Sequence, residues 1–281
     1  MGEFIKKASE LGFCPGVRRA IETTKKAAQS GQVFTLGKLV HNDAAVEDLE
    51  AAGIKAIQHL AEVSSIVAIT AHGASPQVYE ELQRKGLKSL DTTCPIVRRA
   101  QQKASQLGNE GYFVLVYGDP DHVEVKGLLG WAGPNSTATL SASQVFGQKV
   151  PKRLAILCQT TRLPSDFGAF IREVMAPLDK FEDIKIAVTF CPHVVRRMRE
   201  AVSLASSTDL VIVVGDLQSA NSNRLVEACN RVGRAKLVWS AQMINPEWQE
   251  FKVARTIGVT SGTSTPDWLI DEVVDSLKRL A

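Results

Sequence analysis

The sequence predicts an α/β protein of three similar units with parallel sheets, related by a pseudo-threefold repeat. Three observations carry this. The phrases "LGFCPGVRRA" (11–20), "DTTCPIVRRA" (91–100) and "TFCPHVVRRM" (189–198) each set a Cys-Pro ahead of a valine and an arginine pair. A glycine follows each cysteine after 23, 24 and 24 positions, at Gly37, Gly118 and Gly215, and each closes an apolar run. Later in each repeat an apolar run, a polar loop and a proline recur, in "IVAITAHGASPQVYEEL", "LAILCQTTRLPSDFGAF" and "IGVTSGTSTPDWLIDEV".

The elements follow in order. "FIKKASE", "LKSLDTT" and "IKIAVTF" read as strands ahead of the three cysteines. Proline suits a first helical turn, where its missing N–H has no partner to lose. The amphipathic stretches "GVRRAIETTKKAA", "IVRRAQQKASQL" and "VVRRMREAVSLA" therefore start helices at the cysteines. The runs "QVFTLG", "YFVLVYG" and "DLVIVVG" are strands closed by the repeated glycine. "KLVHNDAAVEDL", "DPDHVEVKGLL" and "DLQSANSNRLVEA" each open as a polar loop and continue as a helix. Strand–helix alternation of this kind gives parallel sheets. The units divide at 1–92, 93–187 and 188–281, with no Gly/Ser-rich linker between them.

Bulk properties narrow the function. With 44% hydrophobic and 22% charged residues, the composition is that of a globular protein. No apolar run reaches the roughly 18 residues of a membrane span, and "MGEFIKKASELGF" lacks the apolar core of a secretion signal. The chain is expected in the cytoplasm, where its five cysteines serve metals or catalysis rather than disulfides. A net charge of +3 from scattered residues argues against a nucleic-acid partner. Neither G-x-x-x-x-G-K-[ST] nor G-x-G-x-x-G occurs, so nucleotide phosphate chemistry is not indicated.

Ligands of parallel sheets bind at the carboxyl ends of the strands. A threefold assembly would bring Cys14, Cys94 and Cys191 to one point, with three helix N-termini aimed there. Each terminus favours anionic charge by about 0.3–1 kcal/mol, which suits thiolates. Three thiolates leave an open position on zinc or hold an iron–sulfur cluster with one iron free, and the residues alone leave both open. Cys158 and Cys229 have no counterparts in the other repeats and read as packing residues. The polar loops supply His41, His72, His122, Glu124, Thr160, Ser219, Asn221 and Ser264, a donor set for an anion without a Walker lysine. Glu124 is the lone carboxylate among these donors, and a carboxyl in a dry pocket has a raised pKa and can deliver a proton. His59 lies outside the loops and is expected at the surface.

The motifs "GFCPGVRRAI", "LVHN", "AHG", "DTTCPIV", "GDPDHVEVKG", "QTT", "SANSNRL" and "GTSTPDWLI" together resemble the iron–sulfur 4-hydroxy-3-methylbut-2-enyl diphosphate reductases of the methylerythritol phosphate route to isoprenoids. The resemblance spans essentially the whole chain. It implies a trefoil of α/β units around one [4Fe–4S] cluster held by Cys14, Cys94 and Cys191. It implies diphosphate binding by His41, His72, His122, Ser219, Asn221 and Ser264, and proton delivery by Glu124 beside Thr160, with His122 in the catalytic group. The implied reaction expels the allylic hydroxyl as water and gives isopentenyl or dimethylallyl diphosphate, with electrons from a ferredoxin or flavodoxin. The chain departs from the family pattern at Val123, where a proline is usual, and at Ala220, where a second serine is usual. It also departs in "CPHVVRRMREAV", where a threonine pair and an Arg-Gln are usual. These departures keep two alternatives in view: a related cluster enzyme acting on another allylic or phosphorylated compound, and a non-redox enzyme using the metal as a Lewis acid. His193 carries two readings, a solvent-facing turn residue or a donor in the pocket.

Overall fold

The apolar runs become strands and the proline-led patterns become helices in the computed structural model, which describes residues 4–63, 65–146 and 151–280. The chain begins with β1 (Ile5–Lys7), α1 (Pro15–Ala28), β2 (Val33–Leu36), α2 (Asp43–Ala51), β3 (Ile54–Ile57), β4 (Ile66–Ile69), α3 (Pro76–Arg84) and β5 (Ser89–Asp91). Next come α4 (Pro95–Asn109), β6 (Phe113–Tyr117), α5 (Val123–Ala132), β7 (Ser136–Thr139), α6 (Ser143–Phe146), β8 (Arg153–Cys158), α7 (Pro164–Val174) and β9 (Asp183–Ala187). It continues with α8 (Pro192–Ser207), β10 (Leu210–Val214), α9 (Ala220–Asn230), β11 (Ala235–Val238), α10 (Gln249–Val253), β12 (Ile257–Ser261) and α11 (Asp267–Leu280).

The strands form three four-stranded sheets, ordered β3-β2-β4-β5, β7-β6-β8-β9 and β11-β10-β12-β1. Their registered pairs are parallel. One topology is thus used three times, and its last edge strand always leads to a Cys-Pro. For the third sheet that strand is β1, with Ile5 opposite Ile257 and Lys7 opposite Val259. The strand before Cys14 therefore pairs with the end of the chain and not with the sheet of residues 33–91. Partner choice in a sheet is a long-range matter that a local apolar pattern does not encode.

Two compact units result, residues 1–25, 38–54 and 192–281 in one, and 26–37 and 55–191 in the other. The first contains the sheet β11-β10-β12-β1. Leu210, Ile212, Val214, Ile257 and Val259 pack there with Leu269, Ile270, Val273 and Leu277 of α11. All five residues of β10 are buried, as a parallel strand covered on both faces requires. The second unit contains the other two sheets. Ala100, Ala104 and Leu107 of α4 and Val125 and Leu128 of α5 cover Val114, Val116, Ala155 and Leu157 on one face of β6 and β8. Leu115 and Ile156, on the other face, meet Phe167 and Phe170 of α7.

The repeated glycines close the sheets. The amides of Gly37, Gly118 and Gly215 donate to Ile57 O (2.9 Å), Thr139 O (3.2 Å) and Val238 O (3.0 Å), the final residues of the edge strands β3, β7 and β11. A Cβ at Gly118 would lie 2.7 Å from Val125 Cγ2, and one at Gly215 would lie 2.2 Å from Ser222 Oγ. The helices after Gly118 and Gly215 pack down onto them, so only glycine leaves room there, whereas Gly37 has open space and is set apart by its positive φ of 80°. Among the described residues no helix is long and apolar enough to cross a membrane.

Candidate active site

The three Cys-Pro cysteines share one backbone arrangement. Cys94 N donates to Ala71 O (3.0 Å), Cys191 N to Thr160 O (2.8 Å) and Cys14 N to Thr263 O (3.1 Å). Each acceptor lies in the second polar loop of a repeat, the loop after β4, β8 or β12. Each cysteine immediately precedes a long helix whose first residue is proline, α1, α4 or α8. The equivalence read from the phrase thus extends to the hydrogen bond that fixes each cysteine backbone. Cys14 and Cys94 are half-buried and Cys191 is buried.

Cys158 and Cys229 differ in kind. Both are fully buried. Burial pushes each thiol up to about 11, so each stays protonated at neutral pH. Cys158 Sγ lies 3.3 Å from Thr189 Oγ1, and Cys229 Sγ donates to Ala201 O at 3.4 Å. These are contacts of packed thiols, as the sequence suggested.

In the second unit the loops after β4, β6 and β8 form one polar group. Glu124 is 1% exposed in the first turn of α5. Its Oε1 accepts from Thr160 N (2.6 Å) and its Oε2 from Thr160 Oγ1 (3.0 Å). The Thr160 carbonyl holds Cys191, so acid, threonine and cysteine are joined through one residue. His122 caps α5, and its Nδ1 accepts from Glu124 N at 3.1 Å. In the neutral ring this leaves the proton on Nε2, which is then a donor. The His72 ring stands edge-on to His122, centroids 5.6 Å apart, with Nδ1 3.3 Å from Thr70 Oγ1.

In the first unit Ser219, Asn221 and Ser264 sit at the carboxyl edge of the sheet β11-β10-β12-β1. Ser219 caps α9, its Oγ accepting from Ser222 N at 3.3 Å. Asn221 follows in the first turn of that helix, and its buried Nδ2 has no hydrogen-bond partner among the described residues. Such an orphaned donor costs about 1–3 kcal/mol, and a ligand oxygen would relieve it. Ser264 adjoins Thr263, the residue that holds Cys14. His41 precedes Asn42, whose Oδ1 accepts from Ala45 N (3.0 Å) and caps α2. Burial first, and then Lys38, lower the His41 pKa, with Asp216 opposing them. The imidazole is neutral at pH 7.

His193 lies in the first turn of α8 and is half-buried. Its Nδ1 accepts from Arg196 Nη2 (2.9 Å) beside Glu10, which also accepts from Arg196 Nε (2.7 Å). The ring thus sits against Arg196 and Glu10. His59 is exposed, as expected.

Residues 5–278 match the LytB protein family. The chain belongs to the LytB family. This LytB chain is 40% identical to the 4-hydroxy-3-methylbut-2-enyl diphosphate reductase of Dehalococcoides mccartyi strain CBDB1, over 99% of the chain and 98% of that relative. It is 36% identical to the reductase of the same name from Geobacter metallireducens, over 97% and 96%. A solved structure of (E)-4-hydroxy-3-methyl-but-2-enyl diphosphate reductase, the terminal enzyme of the non-mevalonate pathway, superposes with a TM-score of 0.75 at 30% identity, covering 98% of this chain and 99% of the other. The Plasmodium falciparum E-1-hydroxy-2-methyl-but-2-enyl-4-diphosphate reductase superposes with a TM-score of 0.89 at 28% identity, covering 98% and 88%. As a LytB protein the chain is an oxidoreductase.

Sequence reasoning missed two features of this LytB chain. Arg197, 2% exposed, lies inside the first unit. The signal was present: the arginine pair of the third phrase stands one residue farther from its cysteine than in the other two. Gln159 was also passed over. Its side chain ties two loops of the second unit, Oε1 accepting from Asp119 N at 3.2 Å.

Proposed function

We propose that the chain reduces 4-hydroxy-3-methylbut-2-enyl diphosphate to isopentenyl and dimethylallyl diphosphate, with Cys14, Cys94 and Cys191 as the three ligands of a [4Fe–4S] cluster. The observation that carries this is the thrice-repeated bond from a Cys-Pro cysteine amide to a loop carbonyl. The donor set fits the group. Three thiols stand before helices of 14, 15 and 16 residues, whose N-termini favour anionic sulfur. When bound, a cluster with three protein ligands keeps one iron open to a substrate oxygen and passes low-potential electrons.

The chain's own residues supply binding and protons. Asn221 Nδ2 is a buried donor awaiting an acceptor, and Ser219 and Ser264 add hydroxyls at the same sheet edge. His122, with Nδ1 engaged by Glu124 N, presents Nε2–H, and His41 is held neutral. Neutral donors of this kind bind diphosphate oxygens without a fixed ion pair. The substrate hydroxyl leaves as water and carbon gains a hydrogen, so the reaction takes up two electrons and two protons. Glu124, buried and joined to Thr160 through both oxygens, takes up one of these protons at Oε2, which then donates to the Thr160 hydroxyl, and so relays it to the leaving hydroxyl. A ferredoxin or flavodoxin supplies the electrons. The test is anaerobic turnover of iron-loaded protein with a chemical reductant, products identified by mass spectrometry. Absence of both isopentenyl and dimethylallyl diphosphate would sink the proposal.

A further inference from the structure

We infer that Arg197 is the positioning residue for Cys14 and for the loop that carries Ser264. The inference deepens the function proposed above and rests on it for the roles of those two residues. The third Cys-Pro phrase has one residue more before its arginine pair. An α-helix turns by about 100° per residue, so the second arginine of that pair swings inward. At the sixth position after the cysteine the other repeats have Ala20 and Ala100, 0% and 1% exposed, while the third has Arg197. Alanine fills that position adequately twice, so packing alone does not call for a guanidinium.

Its contacts show what it adds. Nη1 donates to Ser261 O (2.9 Å), Ser261 Oγ (3.0 Å) and Gly262 O (3.0 Å). Ser261 ends β12 and Gly262 opens the loop to Ser264. Ser261 Oγ also accepts from Gly12 N at 2.9 Å, and Thr263 O accepts from Cys14 N at 3.1 Å. The backbone before Cys14 is thus held at two points, Gly12 and Cys14 itself. Both points bear on residues 261–263, the stretch that Arg197 fixes at its start. Nη1 carries two N–H groups, which the three acceptors share, and the planar guanidinium fixes the direction of both, where a lysine ammonium would hold a point charge on a flexible stem.

The test uses the full metal-free chain under anaerobic conditions, so it does not depend on turnover or on cluster loading. Iodoacetamide labelling rates of Cys14 and Cys94 are followed by mass spectrometry in wild type, Arg197→Met, Arg197→Lys and Ser261→Ala. Cys94 takes its anchor from Ala71 O and serves as internal control. Arg197→Met and Ser261→Ala should label Cys14 at least fivefold faster with Cys94 unchanged, and Arg197→Lys should fall between. Inorganic diphosphate, titrated calorimetrically, should bind several-fold more weakly to Arg197→Met. An unchanged Cys14 rate, or equal acceleration at both cysteines, overturns the inference. Should Arg197→Met not fold, Ser261→Ala, which keeps the arginine, decides. A chain that fails to reduce the proposed substrate yet shows the Cys14-specific effect would refute the function and leave the positioning role standing.

Discussion

Replacing Glu124 by glutamine isolates proton delivery with little change of shape. Both carboxylate oxygens accept from Thr160, one from its amide and one from its hydroxyl. The amide N–H can only donate, so the glutamine carbonyl must turn toward it. The glutamine NH2 then faces the Thr160 hydroxyl, which can rotate to accept. Both contacts survive in neutral form. A bond to a charged group is worth about 1.5–3 kcal/mol and a neutral one about 0.5–1.5, so the two bonds together lose about 2 kcal/mol. Relief from burying a charge returns part of this, leaving a net cost of about 1 kcal/mol. The variant should therefore fold, load iron and bind substrate. Its turnover should fall by about 10²–10⁴, the range for a lost general acid. Steady-state assays with reduced viologen give kcat and KM separately, and iron content is measured on the same sample. Turnover within about threefold of wild type, with full iron, would show that the proton comes from elsewhere. Loss of iron would show that the Glu124–Thr160 contact is needed to hold Cys191.

The remaining expectations concern the cysteines, the anion groups and pH. Cys94→Ser should lose most iron, whereas Cys158→Ala should keep it and cost about 1–2 kcal/mol of stability as a small buried cavity; iron analysis and denaturant melts separate the two. Asn221→Ala should weaken diphosphate binding by about 10–100-fold, the worth of a bond to a charged group, without lowering the stability of the free protein, because it deletes an unpartnered buried donor. Calorimetry and a melt on one sample check both signs. The His41 pKa is lowered on folding from 6.5, so the unfolded chain binds more protons just below that pH. The contribution is complete above 6.5 and is lost as pH falls toward the folded value. Melts of wild type and His41→Asn across pH 7.5 to 5 should show a steeper acid-side decline in wild type, and parallel curves would remove His41 as the cause.

Much of this architecture was legible because the repeated phrase is local chemistry. A proline-led helix, an apolar run and a glycine leave signatures within ten residues, and they gave nine strands and the helices at the cysteines. The strands β3, β7 and β11 were not visible. Their sequences, "IKAI", "STAT" and "AKLV", are short and only partly apolar. As edge strands they are ordered by pairing with a neighbour and not by a buried face of their own. The pairing of β1 was hidden for the same reason. Residue types at the candidate site were readable at strand ends, but the bonds that orient them were not. Thr160 stood out for its hydroxyl, yet its amide holds Glu124 and its carbonyl holds Cys191. Backbone groups carry no letter of their own.

The place of β1 sets an order on biosynthesis. The sheet β3-β2-β4-β5 is complete once residue 91 has been made, and β7-β6-β8-β9 once residue 187 has. β1 is made first, but its partner β12 begins at Ile257. At about 5–20 residues per second on the ribosome, that wait is on the order of 10–50 s. Closing so long a loop adds little free energy, since the cost grows only logarithmically with length, so the delay is one of sequence in time. The carbonyl that holds Cys14 belongs to Thr263 and emerges later still. The first cysteine of the three to be synthesised is thus the last to be fixed. A nascent chain stalled at residue 240 would carry the Cys94 and Cys191 junctions without the third.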